Sequence, residues 1–180
     1  MRDVIKGLCK MSEECQVMHR DLKLENILVK SKHPQAAAIS DFEFKIGDMG
    51  LARRHGGEHL LHGTYCGSPM YMAPEILLNQ PYNHQADIWS LGTIFYHLLT
   101  GNYPFDSKSL AELKSKIQKG IYQIPNCVRL SSQALDFIDG CLKFDYRLRL
   151  SIKDLKTHPF YQASKLIYPE ISQQEFQNGR

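Results

Sequence analysis

Apolar residues recur at helical spacing from the start of the chain. Val4, Ile5, Leu8 and Met11 fall on one face of an amphipathic helix. Two β-prone segments follow, Ile27-Leu28-Val29 and Phe42 to Ile46, separated by a polar and small-residue insert over 30–41. Together they predict a hairpin with a long loop. Over 48–72 glycine, histidine and arginine recur with no sustained period, which predicts a long loop. The second half is helical. Residues 86–100 place Ile88, Leu91, Phe95, Leu98 and Leu99 at helical spacing, with Trp89, Ile94 and Tyr96 between them and Gly101 as a C-cap. A helix apolar nearly all round is a buried one. Further helices are predicted over 109–119, 131–142 and 151–157, with Ser131 and Ser151 as N-caps and Pro159 after the last. The polar tail from Gln162 on is expected to be loosely attached.

Composition narrows the class. The chain has 180 residues, 43% of them hydrophobic and 23% charged, as in an ordinary globular domain. Its net charge of +3 comes from basic residues spread along the chain, so no nucleic-acid surface is expected. No stretch has the apolar length needed to cross a bilayer, and the acidic N-terminal segment does not suit a secretory leader. The cysteines Cys9, Cys15, Cys66, Cys127 and Cys141 are odd in number, widely spaced and form no CxxC pair. A reducing, cytoplasmic setting fits them best. Cys9 and Cys141 fall on apolar helical faces and are expected to be small buried hydrophobes.

The chemistry concentrates in His19-Arg20-Asp21-Leu22-Lys23-Leu24-Glu25-Asn26, a loop between a helix and a strand. Asp21 can orient a hydroxyl and accept its proton, Lys23 can neutralise a phosphoryl group in transfer, and the Asn26 carboxamide oxygen can bind a hard cation. Asp48-Met49-Gly50 offers a second oxygen ligand for Mg²⁺. Positioning and charge neutralisation are most of what phosphoryl transfer needs.

The order HRDLKLEN, DMG, APE (Ala73-Pro74-Glu75) and DIWSLG (Asp87 to Gly92), with Arg149 before Leu150-Ser151 and HPF at 158–160, resembles the protein kinase superfamily. The likeness covers about residues 1–161, with 162–180 as a tail. Lys23 marks the serine/threonine branch, and CGSPMYMAPE with the KIGDMGLAR run looks most like the autophagy-initiating kinases. The resemblance implies a mainly α large (C-terminal) lobe, with short β-hairpins at the catalytic and metal-binding loops and no small lobe within these residues. It implies ATP and Mg²⁺ as cofactors and protein Ser/Thr residues as substrate. Asp21 would be the base and Lys23 would contact the transferred phosphate. Asn26 and Asp48 would hold the metal, and Leu28 would line the nucleotide. Ser68 would contact Asp21 in the substrate-receiving loop, and Leu51 would favour Ser over Thr as acceptor. His19, Met49, Glu75, Asp87 and Arg149 would be structural: Met49 packing on His19, Asp87 holding the catalytic-loop backbone, and Glu75 and Arg149 forming a buried ion pair. Arg20 would meet a phosphorylated activation loop, with Thr64 the first candidate phosphosite and Tyr65 the second, modified by an activating kinase or by the protein itself.

Departures from the family pattern are few. Met49 replaces the aromatic of DFG, and Leu24 stands where HRDLKPEN has proline. Asp41-Phe42 rivals Asp48 as the metal aspartate, but Glu43 follows where glycine belongs. His55-Gly56-Gly57-Glu58-His59 matches the HxxEH zinc pattern, although its paired glycines oppose the helix that pattern needs and favour a solvated loop. Glu25 would recognise a basic substrate residue or simply be solvated. Only 18 residues precede His19, with no glycine-rich loop, strand lysine or partner glutamate among them. The chain is therefore expected to be a fragment of an active kinase that transfers no phosphate alone. The alternative is a non-catalytic kinase-like binding module.

Overall fold

The computed structural model describes residues 1–54 and 68–167, the last four by backbone only. Helix α1 spans Arg2–Glu13 and buries Val4, Ile5, Leu8, Cys9 and Met11, the predicted face. It delivers the chain to a two-residue strand β1 (Val17–Met18) and the HRD loop. Strands β2 (Ile27–Ser31) and β3 (Phe42–Ile46) pair antiparallel, from Ile27 opposite Ile46 to Ser31 opposite Phe42. The Asp3 carboxylate accepts the Phe44 N–H at 3.2 Å, tying the start of α1 to β3. A 3₁₀ turn at Met49–Leu51 leads to β4 (Arg53–Arg54), which pairs with β1. The predicted 48–72 loop therefore contains short ordered elements. Thr64, Tyr65, Cys66 and the HxxEH stretch lie outside the described residues.

The remainder is helical: α2 (Pro74–Leu77), α3 (Gln85–Thr100), α4 (Leu110–Lys119), α5 (Ser132–Cys141), α6 (Ile152–Thr157) and α7 (Pro159–Ile167). Helix α3 is the axis of the core, buried continuously from Ala86 to Tyr96. Gly101 ends it in the left-handed conformation, φ 75°. Leu98, read as core, is exposed because α3 emerges past Tyr96. Helix α3 crosses α5 at Gly92, where an added Cβ would lie 2.5 Å from that of Cys141. Ser131 and Ser151 cap α5 and α6 through their side chains, as their sequence positions suggest.

The C-terminal reading needs correction. Helix α6 ends at Thr157 with Pro159 after it, as expected, but Pro159 also opens α7, because its fixed φ and missing N–H suit a first helical turn. The helix continues past Gln162 to Ile167, and Tyr161 on it is buried in the core. Among the described residues no helix is long and apolar enough to cross a membrane.

Candidate active site

The HRD loop is pinned by a carboxylate from the first turn of α3. Asp87 Oδ2 accepts the His19 N–H at 2.8 Å and Oδ1 accepts the Arg20 N–H at 3.0 Å. This holds Arg20 at φ 69°, a left-handed conformation that an L side chain adopts only when its surroundings enforce it. His19 is fully buried below. Its Nδ1 accepts the Asp21 N–H at 3.3 Å, so the ring hydrogen is on Nε2 and is donated to Gly47 O at 2.8 Å.

Around Asp21 the carboxylate has a complete set of donors. The Ser68 N–H reaches Oδ1 at 3.1 Å and the Lys23 ammonium reaches Oδ2 at 2.7 Å. Asn26 Nδ2 donates to Asp21 O at 2.8 Å and to Oδ2 at 3.4 Å. Lys23 also donates to Ser68 Oγ at 3.1 Å. The hydrogen bond to Asp21 holds the Lys23 pKa above its ordinary value, against a smaller effect of burial. Lys23, Asn26 and Ser68 thus converge on Asp21.

The hairpin places the metal candidates. Both partners of Asn26 Nδ2 are acceptors, which fixes the carboxamide orientation and turns Oδ1 the other way. Gly47 N donates to Asn26 O at 2.8 Å, one step beyond the Ile27–Ile46 pair, so Asp48 follows at the same end of the hairpin. Asp48 takes a left-handed conformation, φ 55°, and its Oδ1 accepts the Gly50 N–H at 3.2 Å. No group of three or more His, Cys, Asp or Glu residues suited to a metal occurs among the described residues. Mg²⁺ needs less, because it keeps several waters and takes one or two carboxylates plus substrate phosphates. A fixed amide oxygen and an exposed carboxylate fit it.

Asp41, the rival aspartate, sits at the other end of the hairpin, five pairs away. Its carboxylate accepts the Ala37 and Ala38 N–H groups at 3.0 Å each, and these bonds hold its pKa low. It closes the insert and is remote from Asn26. Met49 differs from its expected role. It is 47% exposed and is not a buried plug on His19, whose ring is instead satisfied by backbone groups. Arg20 was expected to need an anion. Here its Nε donates to Leu51 O at 2.8 Å and its Nη1 to Tyr82 OH at 3.3 Å. Neither Tyr82 nor Gly47 is legible as a partner from residue patterns. The first is 62 residues away and the second acts through its carbonyl.

Behind the site, Arg149 and Glu75 form a bidentate pair, Nη1 to Oε1 and Nη2 to Oε2, both 2.7 Å, with 0% and 4% side-chain exposure. The guanidinium also donates to the carbonyls of Gln85 (2.8 Å), Lys143 (2.8 Å) and Phe144 (3.3 Å) and lies 5.1 Å over the Trp89 ring. Ser90 Oγ donates to Tyr71 O at 2.8 Å. These contacts anchor the segment after Ser68. Leu28 stands exposed on β2 beside Gly47. Cys9 and Cys141 are buried, and burial raises both thiol pKa values, Cys9 to about 11. Cys15 and Cys127 are exposed and free.

Comparison with known proteins agrees with this geometry. A family model for the protein kinase domain matches residues 1–161. The SNF1-related protein kinase catalytic subunit alpha KIN12 of Arabidopsis thaliana is 39% identical over 155 residues, covering 86% of this chain and 29% of that protein. The serine/threonine-protein kinase ULK1 of Homo sapiens is 35% identical over 161 residues, covering 89% of this chain and 15% of that protein. The serine/threonine-protein kinase unc-51 of Caenorhabditis elegans is 37% identical over 155 residues, covering 85% and 18%. The chain thus spans less than a third of the length of these relatives. It belongs to the protein kinase family, on the serine/threonine side of it.

Proposed function

We propose that this chain supplies the phosphoryl-transfer centre of a protein serine/threonine kinase, moving the γ-phosphate of ATP to Ser or Thr hydroxyls of protein substrates. One observation carries the reading: the Asp21 carboxylate is held between the Ser68 N–H and the Lys23 ammonium, with Asn26 locked to the same residue. A carboxylate so placed orients a substrate hydroxyl beside Ser68 and accepts its proton. Lys23, already between Asp21 and Ser68, meets the phosphoryl group as it crosses. Asn26 Oδ1 and the Asp48 carboxylate would hold Mg²⁺, and Leu28 offers an apolar face to the base of the nucleotide. When bound, the metal neutralises the charge of the phosphates.

His19, Asp87, Glu75 and Arg149 position these groups without touching the reaction. Arg20, with neutral partners here, is the residue a phosphate on Thr64 would recruit, placed there by an activating kinase or by the protein itself. The free cysteines support a reducing, cytoplasmic setting. An autophagy-type role stays the finer expectation. Against it, a relative named KCC4 of Saccharomyces cerevisiae matches at 40%, as well as unc-51 or ULK1 do.

The test is transfer of labelled phosphate from ATP to a serine peptide by the full-length protein. Loss of transfer in Asp21→Asn, with the fold intact, is the expected result. Transfer that survives Asp21→Asn removes the base assignment. A second reading, a non-catalytic binding module, is favoured by the exposed apolar residues Leu28, Val29, Met49 and Leu51. A folded full-length protein that binds no ATP would establish it.

A further inference from the structure

Arg20 is held twice by the segment that enters α3. Asp87 Oδ1 accepts its backbone N–H at 3.0 Å, and Tyr82 OH accepts its Nη1–H at 3.3 Å. Tyr82 is 2% exposed, so its hydroxyl reaches Arg20 from a ring seated in the core. The other arm of the guanidinium, Nε–H, donates to Leu51 O at 2.8 Å. Leu51 is the last residue of the 3₁₀ turn Met49–Leu51, and Asp48 is the cap of that turn. The closing carbonyls of a helical turn have no partner within it, and an arginine suits them. Arg20 (φ 69°) and Asp48 (φ 55°) are both left-handed, a conformation that an L residue keeps only with outside support. One guanidinium connects the support of the first to the turn of the second.

We propose that Tyr82 is a positioning residue for the Asp48 carboxylate: its hydroxyl sets the Arg20 guanidinium, whose Nε–H holds the turn that presents Asp48. This rests on the phosphoryl-transfer reading only for the identity of the metal site. A guanidinium is planar and its donors keep fixed directions. Seating Nη1 on Tyr82 therefore sets where Nε points. Without the hydroxyl the plane is free to turn about its remaining bond, and Leu51 O loses a fixed donor. The turn then wanders, and the carboxylate at its start wanders with it. Tyr82 acts here only through Arg20. Residues along such a relay change the coupling they carry about 2- to 30-fold, and that is the expected range of the effect on metal binding.

The test compares Tyr82→Phe, which removes one oxygen and keeps the buried ring, with Arg20→Met and with the double variant. Mn²⁺, used as a paramagnetic probe, reads binding through broadening of the Asp48 and Gly50 amides. Hydrogen exchange at Gly50 and Ala52, whose N–H groups bond to Asp48 Oδ1 and Met49 O, reads the turn without metal. Expected for Tyr82→Phe are faster exchange at both amides and an Mn²⁺ midpoint about 2- to 30-fold weaker. Arg20→Met should weaken binding at least as much. In that background Tyr82→Phe should add nothing, because the relay is already cut. An unchanged Mn²⁺ midpoint in Tyr82→Phe overturns the proposal. So does a full further loss in the double variant, which would leave Tyr82 a packing residue alone. Failure of the metal reading shows separately, as wild-type chain without broadening at Asp48. The exchange rates of Gly50 and Ala52 then decide the relay by themselves, and unchanged rates in Tyr82→Phe overturn it.

Discussion

The buried ring of His19 joins the HRD loop to the turn that carries Asp48: Nδ1 accepts from the Asp21 N–H, and Nε2 donates to Gly47 O, 2.8 Å away. The Asp21 N–H and the carbonyl of Gly47, the residue before Asp48, therefore share one imidazole. His19→Phe keeps the apolar volume but leaves both backbone groups without this partner. An unpaired buried polar group costs about 1–3 kcal/mol, so urea denaturation should show a loss in that range. Mn²⁺ broadening at Asp48 should weaken as well. A variant with reduced stability but unchanged Mn²⁺ binding would show that the ring only fills space.

Glu75→Ala leaves the Arg149 guanidinium buried without its carboxylate. Breaking such a pair by removing one partner costs about 3–5 kcal/mol. The double variant Glu75→Leu with Arg149→Met should recover part of that, since no charge is left buried. Recovery stays incomplete because Gln85, Lys143 and Phe144 lose the donor to their carbonyls. Thermal melts of the single and double variants check the order. Equal stability of wild type and Glu75→Ala would show that the pair holds nothing.

Gly92→Ala tests the crossing of α3 and α5. The new methyl would lie 2.5 Å from Cys141 Cβ and 3.1 Å from Leu142 Cδ2, in a core with no space to yield. Overpacking of this kind costs about 1–3 kcal/mol. Cys141→Gly in the same chain should relieve part of it. A Gly92→Ala melt at the wild-type temperature would mean that the helices separate freely.

How legible all this was depends on the range of the interaction. Caps are local, so Ser131, Ser151 and Gly101 could be read from their neighbours. The buried helix announced itself by apolar residues on every side. Helix α6 ends at Thr157 ahead of Pro159, as the sequence suggests, but proline also begins helices, and the helix it opens shows only in the placement of Tyr161 in the core. The choice of Asp48 over Asp41 rested on following residues, and the strand register later separated the two aspartates by the length of the hairpin. Contacts such as Arg20 with Tyr82 or His19 with Gly47 join distant positions, one of them through backbone alone. No residue pattern encodes them.

Lys23 gives a prediction in pH. Its pKa lies above 10.5 because of its hydrogen bond to Asp21, with the nearby Asp21, Glu25 and Asp48 charges adding to it. A raised lysine pKa means that the stability from the pair is fully present below the unfolded value. It is lost as pH rises through the higher folded value. The Lys23–Asp21 pair should therefore survive past pH 10.5, the ordinary value for lysine. Titration of ¹⁵N-labelled lysine by NMR should show Lys23 deprotonating last among the exposed lysines without such a partner. In Asp21→Asn it should fall back toward them. An identical Lys23 midpoint in both proteins would dissolve the pair.

Asp87→Asn is the most direct probe of the HRD-loop conformation. The carboxylate now accepts two backbone N–H groups, one on each oxygen. Asparagine keeps a single oxygen and presents an NH₂ to the other N–H, so one bond is replaced by a clash of donors. Hydrogen bonds to a charged group are worth about 1.5–3 kcal/mol. The loss should fall on the loop, because Arg20 at φ 69° has this carboxylate as its backbone anchor. Amide hydrogen exchange at His19 and Arg20 should accelerate far more than exchange in the middle of α3. Asp87→Glu, which keeps the charge on a longer arm, should restore protection only in part. Uniform acceleration through α3 would assign Asp87 to the helix, and unchanged exchange at His19 and Arg20 would leave the loop conformation without its cause.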